Sequence, residues 1–219
     1  MIKTDQEIGE AVASELKWDT KVDEHAVEVQ VDRQTVVLLG TVGSWAERLA
    51  AQEAVYRVGG VRDVSNQLEV VLRPEARRTD VDLARSVQSA LDWDVFIPKT
   101  RIRASANGGQ VILEGQVDSC SQRDDAERVV RNIRGVRRLL NQILVKPAAG
   151  EAHQVQKSIE AALERRAVRK ARQINLDVHD GKVILSGVVH SWAERQSVLG
   201  AAKGTRGVRN VDDRLSVEP

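Results

Sequence analysis

The sequence predicts an α/β (α+β) protein of three tandem αββαβ modules, each a small mixed three-stranded sheet covered on one face by two helices. Three observations carry that prediction. First, Gly40, Gly115 and Gly187 anchor ungapped copies: Leu16, Leu91 and Leu163 lie 24 residues upstream, and Gly60, Gly135 and Gly207 lie 20 downstream. A repeat of this length is one supersecondary unit. Second, each copy passes from a helical hydrophobic period to a period of two and back. Third, the joins "LRPEARRT" and "KPAAGEAHQ" combine proline, small residues and charge, as short linkers do. The modules are placed at 1–72, 79–146 and 151–219.

The first element of each copy is a helix with one apolar stripe at i, i+4 and i+8: Ile8, Val12 and Leu16; Leu83, Val87 and Leu91; Val155, Ile159 and Leu163. Thr4 with Glu7, and Thr79 with Asp82, have the spacing of an N-cap and its N3 acid. Two alternating strands follow. Val27, Val29 and Val31 correspond to Ile102, Ala104 and Ala106 and to Ile174, Leu176 and Val178. Their partners run Val36, Leu38, Gly40, Val42; then Val111, Leu113, Gly115, Val117; then Val183, Leu185, Gly187, Val189. Asn-Gly-Gly at 107 and Asp-Gly at 180 are hairpin turns. A glycine in phase with core residues predicts close approach of a helix to the sheet.

Ser44, Ser119 and Ser191 open the second helix, with Glu47, Gln122 and Glu194 three residues on, a capping box in every copy. Its buried stripe is Ala51, Ala54, Val55 and Val58, then Ala126, Val129, Val130 and Ile133, then Val198, Ala201, Ala202 and Thr205. Gly200 and Gly204 fall in the third copy's turns, so that helix is expected to be the weakest. The last strand is "GVRDVSNQLEV", "GVRRLLNQILV" or "GVRNVDDRLSV". Strand, crossover helix and strand favour parallel pairing. Asn66, Asn141 and Asp213 break its apolar alternation at one module position, where a polar side chain is expected to tie down edge backbone.

Composition bounds the function. Hydrophobic residues make up 42% and charged residues 30% of 219, a globular balance, and aromatics only 3%, so the cores are aliphatic. The net charge of +1 is far from that of a nucleic-acid-binding protein. No segment has the roughly 18 apolar residues of a membrane span. "MIKTDQEIGEAVASEL" has early acids and no signal-peptide core, so a cytoplasmic location, with peripheral contact at the inner membrane allowed, is expected ahead of a periplasmic one.

No catalytic constellation recurs. His25, His153, His179 and His190 lack metal-ligand spacing, and no phosphate-cradling G-x-x-x-x-G-K loop is present, so no enzyme, metal or cofactor is expected. Cys120 stands where Trp45 and Trp192 stand in the other copies. It is either a thiol activated by a helix N-terminus or a small apolar substitute, and the second reading is the simpler. Trp18 and Trp93 directly follow the first helix, and Trp45 and Trp192 begin the second. All four are expected to staple a helix end to its own core, the rival reading being insertion at a membrane interface. On the outer sheet face, Val37, Ile112 and Ile184 are apolar among polar neighbours, which suits packing within the chain or on a partner.

Basic residues form two runs: Arg165, Arg166, Arg169, Lys170 and Arg172 at the end of the third copy's first helix, and Arg131, Arg134, Arg137 and Arg138 around the second copy's second helix. Cations also favour helix C-termini for local reasons, but these nine are the candidate lipid contacts.

The string "LKWDTKVDEHAVEVQV…VVLLGTVGSWAERLAAQEAVYRVGGVRDVSNQLEV" resembles a BON domain, through V-x-L-x-G-x-V, an alanine-rich helix and G-V-x-x-V-x-N-x-L. All three copies carry the pattern. The third departs at Val198, Asp213 and Arg165–Arg166, the last pair standing where Trp18–Asp19 and Trp93–Asp94 stand. The resemblance implies a non-enzymatic module of envelope or osmotic stress with anionic phospholipid as partner. Some members bind other proteins, and one cytosolic relative binds potassium. Protein interaction or self-association is therefore the first alternative, and ion sensing through Asn66, Asn141 and Asp213 the second.

Overall fold

Residues 3–146, 152–165 and 174–218 are described by a computed structural model, with side chains in the fifth helix given for 155–162. Each module begins with a helix: α1 (Asp5–Trp18), α3 (Asp80–Trp93) and α5 (Ala152–Arg165). A hairpin follows: β1 (Val27–Asp32) with β2 (Thr35–Val42), β5 (Ile102–Asn107) with β6 (Gln110–Val117), and β8 (Ile174–His179) with β9 (Lys182–Val189). Next come α2 (Trp45–Arg57), α4 (Cys120–Arg131) and α6 (Trp192–Lys203). The last strand is β3 (Asp63–Asn66) continued by β4 (Glu69–Val70), then β7 (Arg138–Val145) and β10 (Asn210–Val217). In every sheet the second hairpin strand is central, antiparallel to the first and parallel to the last.

The predicted stripes form the cores. Ile8, Val12 and Leu16, and Leu83, Val87 and Leu91, are fully buried, as are Val155 and Ile159; the side chain of Leu163 lies outside the described residues. The small side chains of Ala51, Ala54, Ala126, Ala201 and Ala202, also buried, bring the second helices close. Thr4 completes a capping box with Glu7. At the second helices the serine hydroxyls accept the N–H of Glu47, Gln122 and Glu194, but the return arm reaches one residue further back, to the N–H of Gly43, Asp118 and His190.

Three details differ from expectation. The strand glycines do not admit a helix: they have φ of +118° to +140°, and a Cβ would sit 2.2 Å from the Ala26 carbonyl oxygen at Gly40 and 2.0 Å from that of Arg101 at Gly115. The chain entering the hairpin partner strand needs the space. Gly200 lies inside α6 as expected, but Gly204 is its C-cap and not an interior residue. The first module's last strand is broken at Gln67–Leu68. There Arg48 of α2 donates to the carbonyls of Asn66 and Leu68, at 2.5 and 3.0 Å, and draws the edge toward the helix.

The second helices join the modules into a ring. Tyr56, near the end of α2, stacks on Trp192 at the start of α6, centroids 4.1 Å apart. Lys203, ending α6, pairs with Asp124 of α4 at 2.9 Å, and Arg131, ending α4, pairs with Glu53 of α2 at 2.8 Å. Tyr56, Arg131 and Lys203 occupy one module position, sixteen residues after the strand glycine. The end of each second helix therefore meets its neighbour in the same sense, and three heterologous contacts of one sense close on themselves.

Candidate functional site

Among the described residues, the segments leaving the first helices of modules one and two carry the most exposed aromatic surface. Trp18 is 80% and Trp93 86% exposed, which overturns the expectation that they staple helix ends to the core. The neighbouring aspartates explain it. Asp19 Oδ1 accepts the Lys21 N–H at 3.1 Å while Oδ2 takes Arg57 Nη2 at 2.8 Å, and Asp94 accepts the Phe96 N–H at 2.9 Å while taking Arg128 at 3.2 Å. Three residues beyond each aspartate, Val22 or Ile97 turns into the core. A chain pinned at the aspartate and at the buried aliphatic residue leaves the intervening side chains and the preceding indole facing outward. In module two these are Trp93, Val95 and Phe96, the last two 87% and 66% exposed. The bond from Arg57 holds the Asp19 carboxyl below the usual carboxylate range.

The basic candidates separate. Arg131 is half-buried in its ion pair with Glu53, so it serves the seam between modules. Arg137 is exposed and donates from Nε to the Val70 carbonyl at 3.3 Å, and Arg134 and Arg138 are exposed. Gly135, between them, lies against Leu83 and Arg78 at the start of α3, whereas Trp93 ends that helix. Thirteen helical steps of about 1.5 Å set the two regions roughly 20 Å apart. The side chain of Arg165, and Arg166, Arg169, Lys170 and Arg172 altogether, lie outside the described residues. In sequence they stand where modules one and two carry their exposed aromatic loops.

The other candidates have structural employment. Asn66 Oδ1 accepts the Leu68 N–H and its Nδ2 donates to the Arg48 carbonyl; Asn141 does the same with Ile143 and Arg123. Asp213 accepts from Leu215 and binds Arg195 Nε at 2.9 Å. Their oxygens are taken, in three separate modules. Cys120 is fully buried, its Sγ 3.5 Å from the Val208 carbonyl of module three, and burial pushes the thiol pKa up, away from reactivity. Trp192 is buried too, but against Tyr56 of module one, with Arg195 4.6 Å over its ring. Among the described residues no group of three or more His, Cys, Asp or Glu is arranged to hold a metal, and no helix is long and apolar enough to cross a membrane.

Sequence reasoning missed Val95, Phe96 and the aspartate anchors. Their signal is Trp-Asp followed by Val22 or Ile97 four residues after the tryptophan, in both copies.

A family model described as BON domain matches the chain three times, at residues 4–71, 79–147 and 152–219. The chain is 27% identical over 147 residues to osmotically-inducible protein Y of Escherichia coli (strain K12), covering 64% of this chain and 73% of that protein. It is 25% identical over 142 residues to the 21 kDa hemolysin of Actinobacillus pleuropneumoniae, covering again 64% and 73%. An uncharacterised protein of the gshII 5′ region of Anaplasma centrale is 32% identical over 116 residues, half of this chain and 77% of its own.

Proposed function

The chain belongs to the BON domain family, and from that premise we propose a non-enzymatic binding protein that associates reversibly with anionic phospholipid surfaces. The observation that carries this reading is the pair of outward-facing loops at one module position, Trp18 in module one and Trp93, Val95 and Phe96 in module two. Indole and phenyl rings on a pinned loop suit the headgroup boundary, where one side is apolar and the other wet. In the third module the same sequence position carries the run Arg165, Arg166, Arg169, Lys170 and Arg172. Cations near an anionic leaflet contribute about 1 kcal/mol each. Similarity to osmotically-inducible protein Y supports an osmotic or envelope stress setting.

Flotation with phosphatidylcholine vesicles, with and without phosphatidylglycerol, tests the reading. Wild-type chain is expected to float with the anionic vesicles only and to be released by salt. Trp93→Ala with Phe96→Ala is expected to weaken flotation about tenfold, the equivalent of roughly 1.4 kcal/mol. Equal recovery on both vesicles, or none, removes the reading.

One observation favours a second reading, protein interaction. Leu140 and Leu144 are exposed on the outer sheet face of module two, with Leu140 beside Ile112 across the ladder. Salt-insensitive self-association in light scattering, abolished by Leu144→Lys, is the outcome it requires.

A further inference from the structure

We infer that the seam between modules one and two holds a binding cleft for a phosphate group, built by the first linker. The cleft, of about 420 Å³, is bordered by Leu72, Arg77 and Arg78 of the linker, the Gly108–Gly109 hairpin turn, and Arg137. Three arginines line this space, and none of them is in an ion pair among the described residues. Arg57, Arg101, Arg128, Arg131 and Arg195, by contrast, are each matched to a carboxylate. The single acid of the cleft, Asp80, has both oxygens committed to the N–H groups of Gly109 and Gly108, at 3.0 and 2.8 Å. Positive charge is in excess.

The guanidinium groups are also oriented. Arg137 Nε donates to the Val70 carbonyl at 3.3 Å, Arg78 Nη1 to Ser86 Oγ at 2.8 Å, and Arg77 Nε lies 3.5 Å from the Leu72 carbonyl. The stem of Arg137 lies on Gly109, where a Cβ would come within 2.7 Å of its Cδ, and its backbone N–H bonds the Gly109 carbonyl at 2.8 Å. A guanidinium has five N–H donors, so each keeps most of them for a ligand. Two forks from the linker and one from the strand entry, lining one cleft, suit a tetrahedral oxyanion better than a planar carboxylate, which one fork can saturate. The cleft lies roughly 20 Å along α3 from the aromatic loop, so it goes beyond the membrane reading and does not depend on it. The phosphate can belong to a lipid headgroup or to a free ion.

The test uses the full chain and inorganic phosphate, followed by amide chemical shifts. Saturable shifts confined to the turn at Gly108–Gly109, the linker and Arg137 are expected. Arg77→Gln with Arg137→Gln is expected to weaken binding at least about tenfold, whereas Arg103→Gln with Arg206→Gln, the same loss of charge at exposed sites without ion pairs, leaves it unchanged. Equal weakening in both pairs, or shifts spread over the whole basic surface of the wild type, overturns the proposal. The wild-type map decides even if a variant folds poorly. Displacement of phosphate by phosphatidylglycerol vesicles assigns the site to a headgroup, and lack of displacement assigns it to the free ion; the cleft stands in both cases. Phosphate binding without flotation keeps the cleft and removes the membrane reading.

Discussion

Asn66, Asn141 and Asp213 show one side-chain position solved by two chemistries. Each oxygen holds the N–H two residues on, which keeps the strand edge in shape. The amides use their spare donor on a helix carbonyl, and the carboxylate uses its spare acceptor on Arg195. Asp213→Ala leaves the Leu215 N–H without its acceptor and the Arg195 guanidinium without its carboxylate, and is expected to cost about 1–2 kcal/mol in urea unfolding. Asp213→Asn keeps the backbone bond and is expected to cost less. That the position recurs was legible in the sequence; that Arg195 stands opposite was not, because the partner lies on another element. Asp19 adds a pH dependence. Its folded pKa is lowered, first by the bond from Arg57. Its contribution to stability is therefore complete above its unfolded pKa and lost as pH falls through the folded one. The expected outcome is a melting temperature whose fall in acid is shallower in Asp19→Asn than in wild type.

At the scale of elements, the first helices, hairpins and capping serines were written in local spacing and formed as read. Type and span followed from periodicity because each element buries its stripe within its own module. The strand glycines were legible as necessary but not for the right reason. Gly115 meets the Arg101 carbonyl at the hairpin mouth, and no pattern within a single strand reveals what the partner strand's backbone does there. Gly115→Ala forces both a clash and a backbone of φ +140° on an L-residue. A loss of roughly 2–4 kcal/mol in chemical denaturation is expected. The exposed loops were misread for a related reason. An indole ending an amphipathic helix is ordinarily drawn inward, and here the adjacent carboxylate is drawn in its place, toward Arg57 or Arg128 of the second helix.

The whole molecule is a ring of three modules, and this was not legible in the sequence. Glu53, Tyr56, Asp124, Arg131 and Lys203 look like ordinary helix surface until the neighbouring module is beside them. Cys120 is the exception that has a reason: where Trp192 meets Tyr56, Cys120 meets the Val208 backbone, and an indole there would need room that the fully buried site does not offer. Tyr56→Ala removes the stacked contact that joins the last module to the first. It is expected to open the ring, seen as a larger radius of gyration in solution scattering, while each module keeps its circular dichroism. In the membrane association proposed above, the ring joins the surface contacts of separate modules into one multivalent contact. The most direct test of that claim is quenching of tryptophan fluorescence by lipids brominated in the upper acyl chain, in phosphatidylglycerol vesicles. Trp18 and Trp93 are exposed, whereas Trp192 is buried and Trp45 half-buried. Strong quenching that disappears in Trp18→Phe with Trp93→Phe is the predicted result; no quenching in the wild type, or equal quenching in the variant, contradicts the account.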